Sequence, residues 1–168
     1  ESLYSKKYYE GDTIKNARFA ETLSKISEYG PEVFYGGEIG EMIVNSVNKT
    51  GGIMTIDDLK NYESVWRDPV KFKYKDLEII SMSLPSSGGI LLGQMLKVIE
   101  DYDIKSFGHN SVKTIQLLVE AERRAYADRS HFMGDPDYMN LPVYELMDKE
   151  YVVDRMENFS WDKATPSS

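Results

Sequence analysis

No cysteine occurs among the 168 residues, which removes a disulfide framework and any zinc site built on thiolates. The zero count fits an oxidising and a reducing compartment equally. Histidine is nearly as scarce, with His109 and His131 alone. Long apolar runs are missing too: Ile90-Leu91-Leu92 is broken by Gly93 and Gln94, far short of the about eighteen residues that a membrane span needs. The stretch from Glu1 to Glu10 is charged and tyrosine-rich and does not read as a secretory leader. Positive charge is in deficit, with 20 basic against 28 acidic side chains and a net charge of −8. That balance opposes non-specific binding to nucleic acid, which needs clustered cations to displace counterions from phosphates. Lys6-Lys7 and Arg123-Arg124 are the densest basic pairs, and two residues make no patch.

What is present reads as a globular domain. Apolar residues make up 41% and charged residues 29%, ordinary proportions for a packed chain. The length predicts a single domain over 1–168 that buries roughly two-thirds of its unfolded surface. No repeat or low-complexity run interrupts it. Ile14, Ala17, Phe19 or Ala20, Leu23 and Ile26 fall three to four apart and predict a helix capped by Asp12 or Thr13 and ended by Gly30-Pro31. A second helix is expected over Glu38 to Asn48, with Ile39, Met42, Ile43 and Val47 buried, stopped at Gly51-Gly52. Thr55 and Asp58 form a capping-box pattern before a short helix ending near Tyr62.

The period then changes to two. Val65 to Tyr74 and Leu77 to Met82, with Lys75-Asp76 between them, predict a β-hairpin whose first strand is an edge or begins at Pro69. A helix from about Gly88 to Asp101 is expected to take its cap from Ser86 or Ser87. The longest helix is expected from about Val112 to Phe132. Its stripe of Ile115, Leu118, Val119, Glu122, Ala125, Tyr126 and Arg129 should face the centre of the core. Short helices near Val143 to Met147 and Lys149 to Asn158 close the chain. The fold class is therefore α+β, mostly helical with one small antiparallel hairpin.

Several residues invite a chemical reading. Ser86 and Ser87, before Gly88-Gly89 and a helix, can offer a hydroxyl and converging N–H groups to an anion, or simply cap the helix and let it pack closely. They lack the lysine of a P-loop and the Gly-x-Ser-x-Gly pattern of a nucleophile elbow. A Ser86–His–Asp128 set with His109 or His131 can be written down, but such triads are defined by geometry. Each histidine has a structural reading at a helix end. Asp135-Pro136-Asp137-Tyr138-Met139-Asn140 starts like a calcium loop and lacks its central glycine and its glutamate at the twelfth position. Glu120, Arg124 and Asp128 are spaced four apart and can pair along a helix face.

Three blocks carry a resemblance. Gly51-Gly52-Ile53-Met54-Thr55-Ile56-Asp57-Asp58-Leu59 comes first, then Met82-Ser83-Leu84-Pro85-Ser86-Ser87-Gly88-Gly89. Arg124-Ala125-Tyr126-Ala127-Asp128-Arg129-Ser130 with Gly134-Asp135-Pro136-Asp137 comes last. In this order the chain from about Gly11 to Ser168 resembles the later part of the large subunit of γ-glutamyltranspeptidases, which are N-terminal-nucleophile (αββα) hydrolases. The resemblance implies a precursor that cuts itself before a threonine, usually in a Thr-Thr-His stretch, the threonine then opening a small subunit and acting as nucleophile.

Ala164-Thr165-Pro166-Ser167-Ser168 matches a segment shortly before that cut, and no Thr-Thr-His occurs here. The resemblance thus places no catalytic, substrate-binding or metal residue in this chain and implies no cofactor. It implies as partners the remainder of the large subunit and the small subunit of the same precursor, a small γ-glutamyl substrate for the parent enzyme, and a periplasmic or extracellular parent. The chain alone is expected to be inactive. The alternatives are a non-catalytic helical interaction module with its own partner and, behind it, a serine hydrolase.

Overall fold

Asn16, not Asp12 or Thr13, starts the first long helix, α1 (Ala17–Tyr29), its Oδ1 accepting from the Phe19 N–H at 3.1 Å. Asp12 is already engaged, its carboxylate accepting from the Tyr9 N–H at 2.8 Å in a turn that places Gly11 at φ +89°. The helix therefore begins three residues later than the spacing from Ile14 predicts, and Ile14 stays exposed in irregular backbone. Gly30, at φ +75°, ends α1 as expected.

The computed structural model describes residues 3–166, which cluster into two compact units meeting in sequence at Val65 and Trp66. In the first unit α1 is followed by α2 (Glu32–Tyr35), α3 (Glu38–Lys49) and α4 (Ile56–Lys60). Ile39 is buried on α3, whereas Met42, expected beside it, is exposed. Gly40 lets α3 approach its neighbours: a Cβ there would meet the Phe34 carbonyl oxygen at 2.6 Å. The capping box of α4 is formed in full. Thr55 Oγ1 accepts from the Asp58 N–H, and Asp58 accepts from the Thr55 N–H at 2.7 Å. That backbone bond is the main reason the Asp58 carboxyl titrates below its ordinary range.

The second unit opens with the hairpin. Strands β1 (Val70–Tyr74) and β2 (Leu77–Ser81) pair antiparallel, Val70 opposite Ser81 and Tyr74 opposite Leu77. The first strand is shorter than Val65 predicts and starts immediately after Pro69, whose missing N–H cannot join the ladder. Val70 and Phe72 point into the core and Lys71 and Lys73 outward, and Lys75 turns the chain at φ +54°. Helix α5 (Gly88–Ile99) packs against this sheet. Its residue Ile90 joins Val70, Phe72, Leu84, Leu146 and Met147 in one apolar cluster.

Beyond the short α6 (Ile104–Phe107), the long α7 (Val112–Phe132) packs against α5. Ser111 caps it, accepting from the Thr114 N–H at 3.2 Å. Helix α8 (Val143–Leu146) adds Leu146 to the first cluster, and α9 (Lys149–Asp154) supplies Val152 to a second, where it meets Val98, Leu117 and Ala121. Both ends of α7 fall where its sequence predicts, but its face does not. Ile115, Leu118, Val119 and Tyr126 are 42–50% exposed. The buried face is Thr114, Leu117, Glu120, Ala121, Arg124, Ala125 and Asp128. Of the expected stripe only Ala125 lies inside; charged residues took the buried positions because each finds a partner there. Among the described residues no helix is long and apolar enough to cross a membrane.

Candidate functional site: a polar clamp on the long helix

Glu120 and Arg124 lie one turn apart on the inner face of α7, the glutamate on the N-terminal side, which is the favourable order for a pair on a helix. Arg124 Nη1 sits 2.5 Å from Glu120 Oε2, and the two side chains are 9% and 3% exposed. A pair taken this far out of water must satisfy its remaining donors and acceptors. Arg124 does so completely. Its Nε donates to the Arg155 carbonyl at 2.6 Å, Nη1 also to the Glu120 carbonyl at 2.9 Å, and Nη2 to Asn158 Oδ1 at 2.6 Å and Thr165 Oγ1 at 3.2 Å. The planar five-donor fork of arginine suits such a set, which lysine could not replace.

The Glu120 carboxylate is as fully used. Oε1 accepts from the Thr165 backbone N–H at 3.0 Å and Oε2 from the Thr165 hydroxyl at 2.6 Å. Burial pushes its pKa up, but the Thr165 hydroxyl, Arg124 and the Thr165 N–H together outweigh burial and hold it at about 2. A carboxylate so far from neutrality, with both oxygens occupied, is no general acid or base near pH 7. What the arrangement does is grip the irregular segment after α9. Two neighbouring contacts extend the grip: Gln116 Nε2 donates to the Ser160 carbonyl at 2.8 Å, and Arg123 Nη2 to the Pro166 carbonyl at 2.9 Å.

One turn further on, Asp128 does not pair with Arg124 as the spacing allows. It accepts from Gln94 Nε2 on α5 at 2.8 Å and pairs with Arg155 Nη2 at 3.0 Å. Tyr151 titrates above its ordinary range, first through burial and then through its hydrogen bond with Asp128. The same carboxylate therefore ties α5, α7 and α9 together.

The serine–glycine block sits elsewhere, at the start of α5. Ser87 occupies the cap position but makes no capping bond, because its backbone is helical (φ −74°, ψ −13°) rather than extended. Its Oγ instead accepts from Arg129 Nε at 2.9 Å, while Ser86 Oγ lies 3.4 Å from the Gly88 N–H. Gly89 is pressed onto the hairpin exit, where a Cβ would fall 2.3 Å from the Met82 carbonyl oxygen. His109 is exposed in the turn before α7, and His131 lies edge-on to Phe132 in its last turn. Thus the Ser86 hydroxyl of the serine–histidine–aspartate set accepts from the Gly88 N–H and the Asp128 carboxylate is held by Gln94 and Arg155, neither of them by a histidine. Asp137 of the calcium-loop-like segment pairs with Arg67 at 2.7 Å. No group of acidic or histidine side chains among the described residues could hold a metal.

Residues 4–168 match the sequence model of the family described as gamma-glutamyltranspeptidase. The chain belongs to that family. A glutathione hydrolase proenzyme of Escherichia coli strain K12 is 41% identical over 158 residues, covering 94% of this chain and 27% of that protein. The Acylase ACY 1 proenzyme of Pseudomonas sp. strain V22 is 36% identical over 92% of this chain and 28% of its own length. The crystal structure of Helicobacter pylori gamma-glutamyltranspeptidase superimposes with a TM-score of 0.78 and 42% identity, covering 95% of this chain and 46% of that one. The chain thus spans about a quarter of the curated relatives it matches. The expected fold class holds: mostly helical, one antiparallel hairpin, within the N-terminal-nucleophile hydrolases.

All three γ-glutamyltranspeptidase blocks do structural work in this chain, the middle one through Gly89 packed against the Met82 carbonyl. The Thr55–Asp58 capping box lies in the first block and the Arg124 fork in the last. Sequence pattern flagged Glu120 and Arg124 as a pair but missed Thr165, Asn158 and the Arg155 carbonyl, which lie 31–45 residues away in sequence. Nothing in local spacing marks such partners.

Proposed function

We propose that this chain forms part of a γ-glutamyltransferase precursor, where it is scaffold rather than catalyst. The observation that carries this is the match of nearly its whole length to proenzymes, among them a glutathione hydrolase proenzyme 41% identical to it. In the parent reaction a threonine freed by self-cleavage attacks the γ-carbonyl carbon of a glutathione-like compound, its α-amino group taking the hydroxyl proton. The amide C–N bond breaks, the amine leaves with that proton, and a γ-glutamyl ester remains on the threonine. Water or an amino acid then attacks the ester and releases the threonine. N–H groups outside this chain stabilise the tetrahedral intermediates.

The contribution of residues 1–168 is packing. The outer face of α7, with Ile115, Leu118, Val119 and Tyr126 half-exposed, is an apolar surface of the kind a partner covers. The partner is the remaining polypeptide of the same precursor, since relatives extend this segment about fourfold. The test is to express the full precursor and follow its intact mass. Conversion into two chains, the smaller beginning with threonine, supports the proposal; a precursor that stays whole and turns over no γ-glutamyl compound refutes it.

A further inference from the structure

The segment after α9 is fastened to α7 in an unusual way. Between Arg155 and Pro166 the backbone forms no helix or strand, yet it is held at successive points by polar side chains of one helix. Thr165 is gripped most fully: its N–H and its hydroxyl meet the two oxygens of one carboxylate, Glu120, at 3.0 and 2.6 Å. A two-point grip on a single residue fixes orientation as well as position. Burying a charged pair is a poor route to stability, because apolar residues of similar volume serve as well, and its best-attested use is to specify register. Here the register is that of the chain leaving Thr165. Sliding the segment by one residue would present Ala164, with an N–H but no hydroxyl, or Pro166, with neither, to a buried, ionised carboxylate.

We propose that Glu120 and Arg124 are positioning residues for maturation, clamping Thr165 so that the chain beyond it is delivered to the self-cleavage site in attack-ready geometry. This rests on the precursor reading above. Intramolecular attack is steeply sensitive to placement, a displacement of about 1 Å costing on the order of a hundredfold. A tether upstream of the cut removes much of the freedom that would allow it.

The experiment uses the full-length precursor and three variants: Glu120→Gln, Thr165→Val and the conservative Thr165→Ser. First-order loss of the uncut band on denaturing gels gives the maturation rate, and turnover of γ-glutamyl-p-nitroanilide is then measured on the matured fraction. Glu120→Gln and Thr165→Val should mature about tenfold more slowly or worse, with Thr165→Ser within about twofold of wild type. The matured enzymes should all share the wild-type kcat and KM, because the clamp acts before catalysis. Maturation at the wild-type rate in both Gln and Val variants would overturn the proposal. So would a slowing that Thr165→Ser shares in full and that is matched by lost turnover, since that is a general loss of fold. A wild-type precursor that never cuts itself refutes the precursor reading, and the positioning role falls with it.

Discussion

Glu120 on α7 accepts hydrogen bonds from both the N–H and the hydroxyl of Thr165, which lies forty-five residues further along the chain. With Arg124 on its other side, this carboxylate is held at a pKa of about 2 against an ordinary 4.5. A folded-state pKa below the unfolded one means stability that is complete above the unfolded value and is lost as pH falls towards the folded one. The window is therefore between pH 4.5 and about 2.

The acid melting profile checks this. Glu120→Gln keeps the shape of the side chain but removes the charge, so it should melt well below wild type at pH 7. The gap should close as pH falls through the window. A gap that stays constant down to pH 2 would show that the Glu120 charge contributes nothing to stability.

Leu117 and Leu118 separate the two faces of α7. Leu117 is fully buried and Leu118 is 42% exposed. Leu117→Ala should cost about 2–5 kcal/mol, while Leu118→Ala in the chain by itself should cost no more than about 0.5 kcal/mol. Urea midpoints of the two variants decide it, and the reverse order would restore the stripe that periodicity predicts.

That stripe shows where pattern reading stops. The limits of α7, the Thr55–Asp58 box, the stop at Gly30 and the hairpin at Lys75-Asp76 were all legible, because each depends on residues within a turn of one another. The face of α7 was not. Periodicity counts apolar side chains, and here Glu120, Arg124 and Asp128 hold buried positions on the strength of Thr165, Asn158, Arg155 and Gln94. Ser87 failed for a related reason: it stands at the cap position, but its helical backbone turns the hydroxyl to Arg129.

The Ser87-Gly88-Gly89 block should accordingly be limited by Gly89. A Cβ at Gly89 would sit 2.3 Å from the Met82 carbonyl oxygen and 3.2 Å from Ser81 Cβ, so Gly89→Ala must move backbone and should cost about 1–3 kcal/mol. Ser87→Ala loses one hydrogen bond near the surface, worth about 0.5–1.5 kcal/mol. Thermal melts in which Gly89→Ala is silent would show that α5 does not press on the hairpin exit.

The most direct measurement is a γ-glutamyl-p-nitroanilide assay run side by side on the 168-residue chain and on the full precursor that contains it. The chain alone should show only background release of p-nitroaniline, and the matured precursor should turn over. Release by the chain alone that disappears in a Ser87→Ala variant would contradict the scaffold role and make this segment a serine hydrolase in its own right.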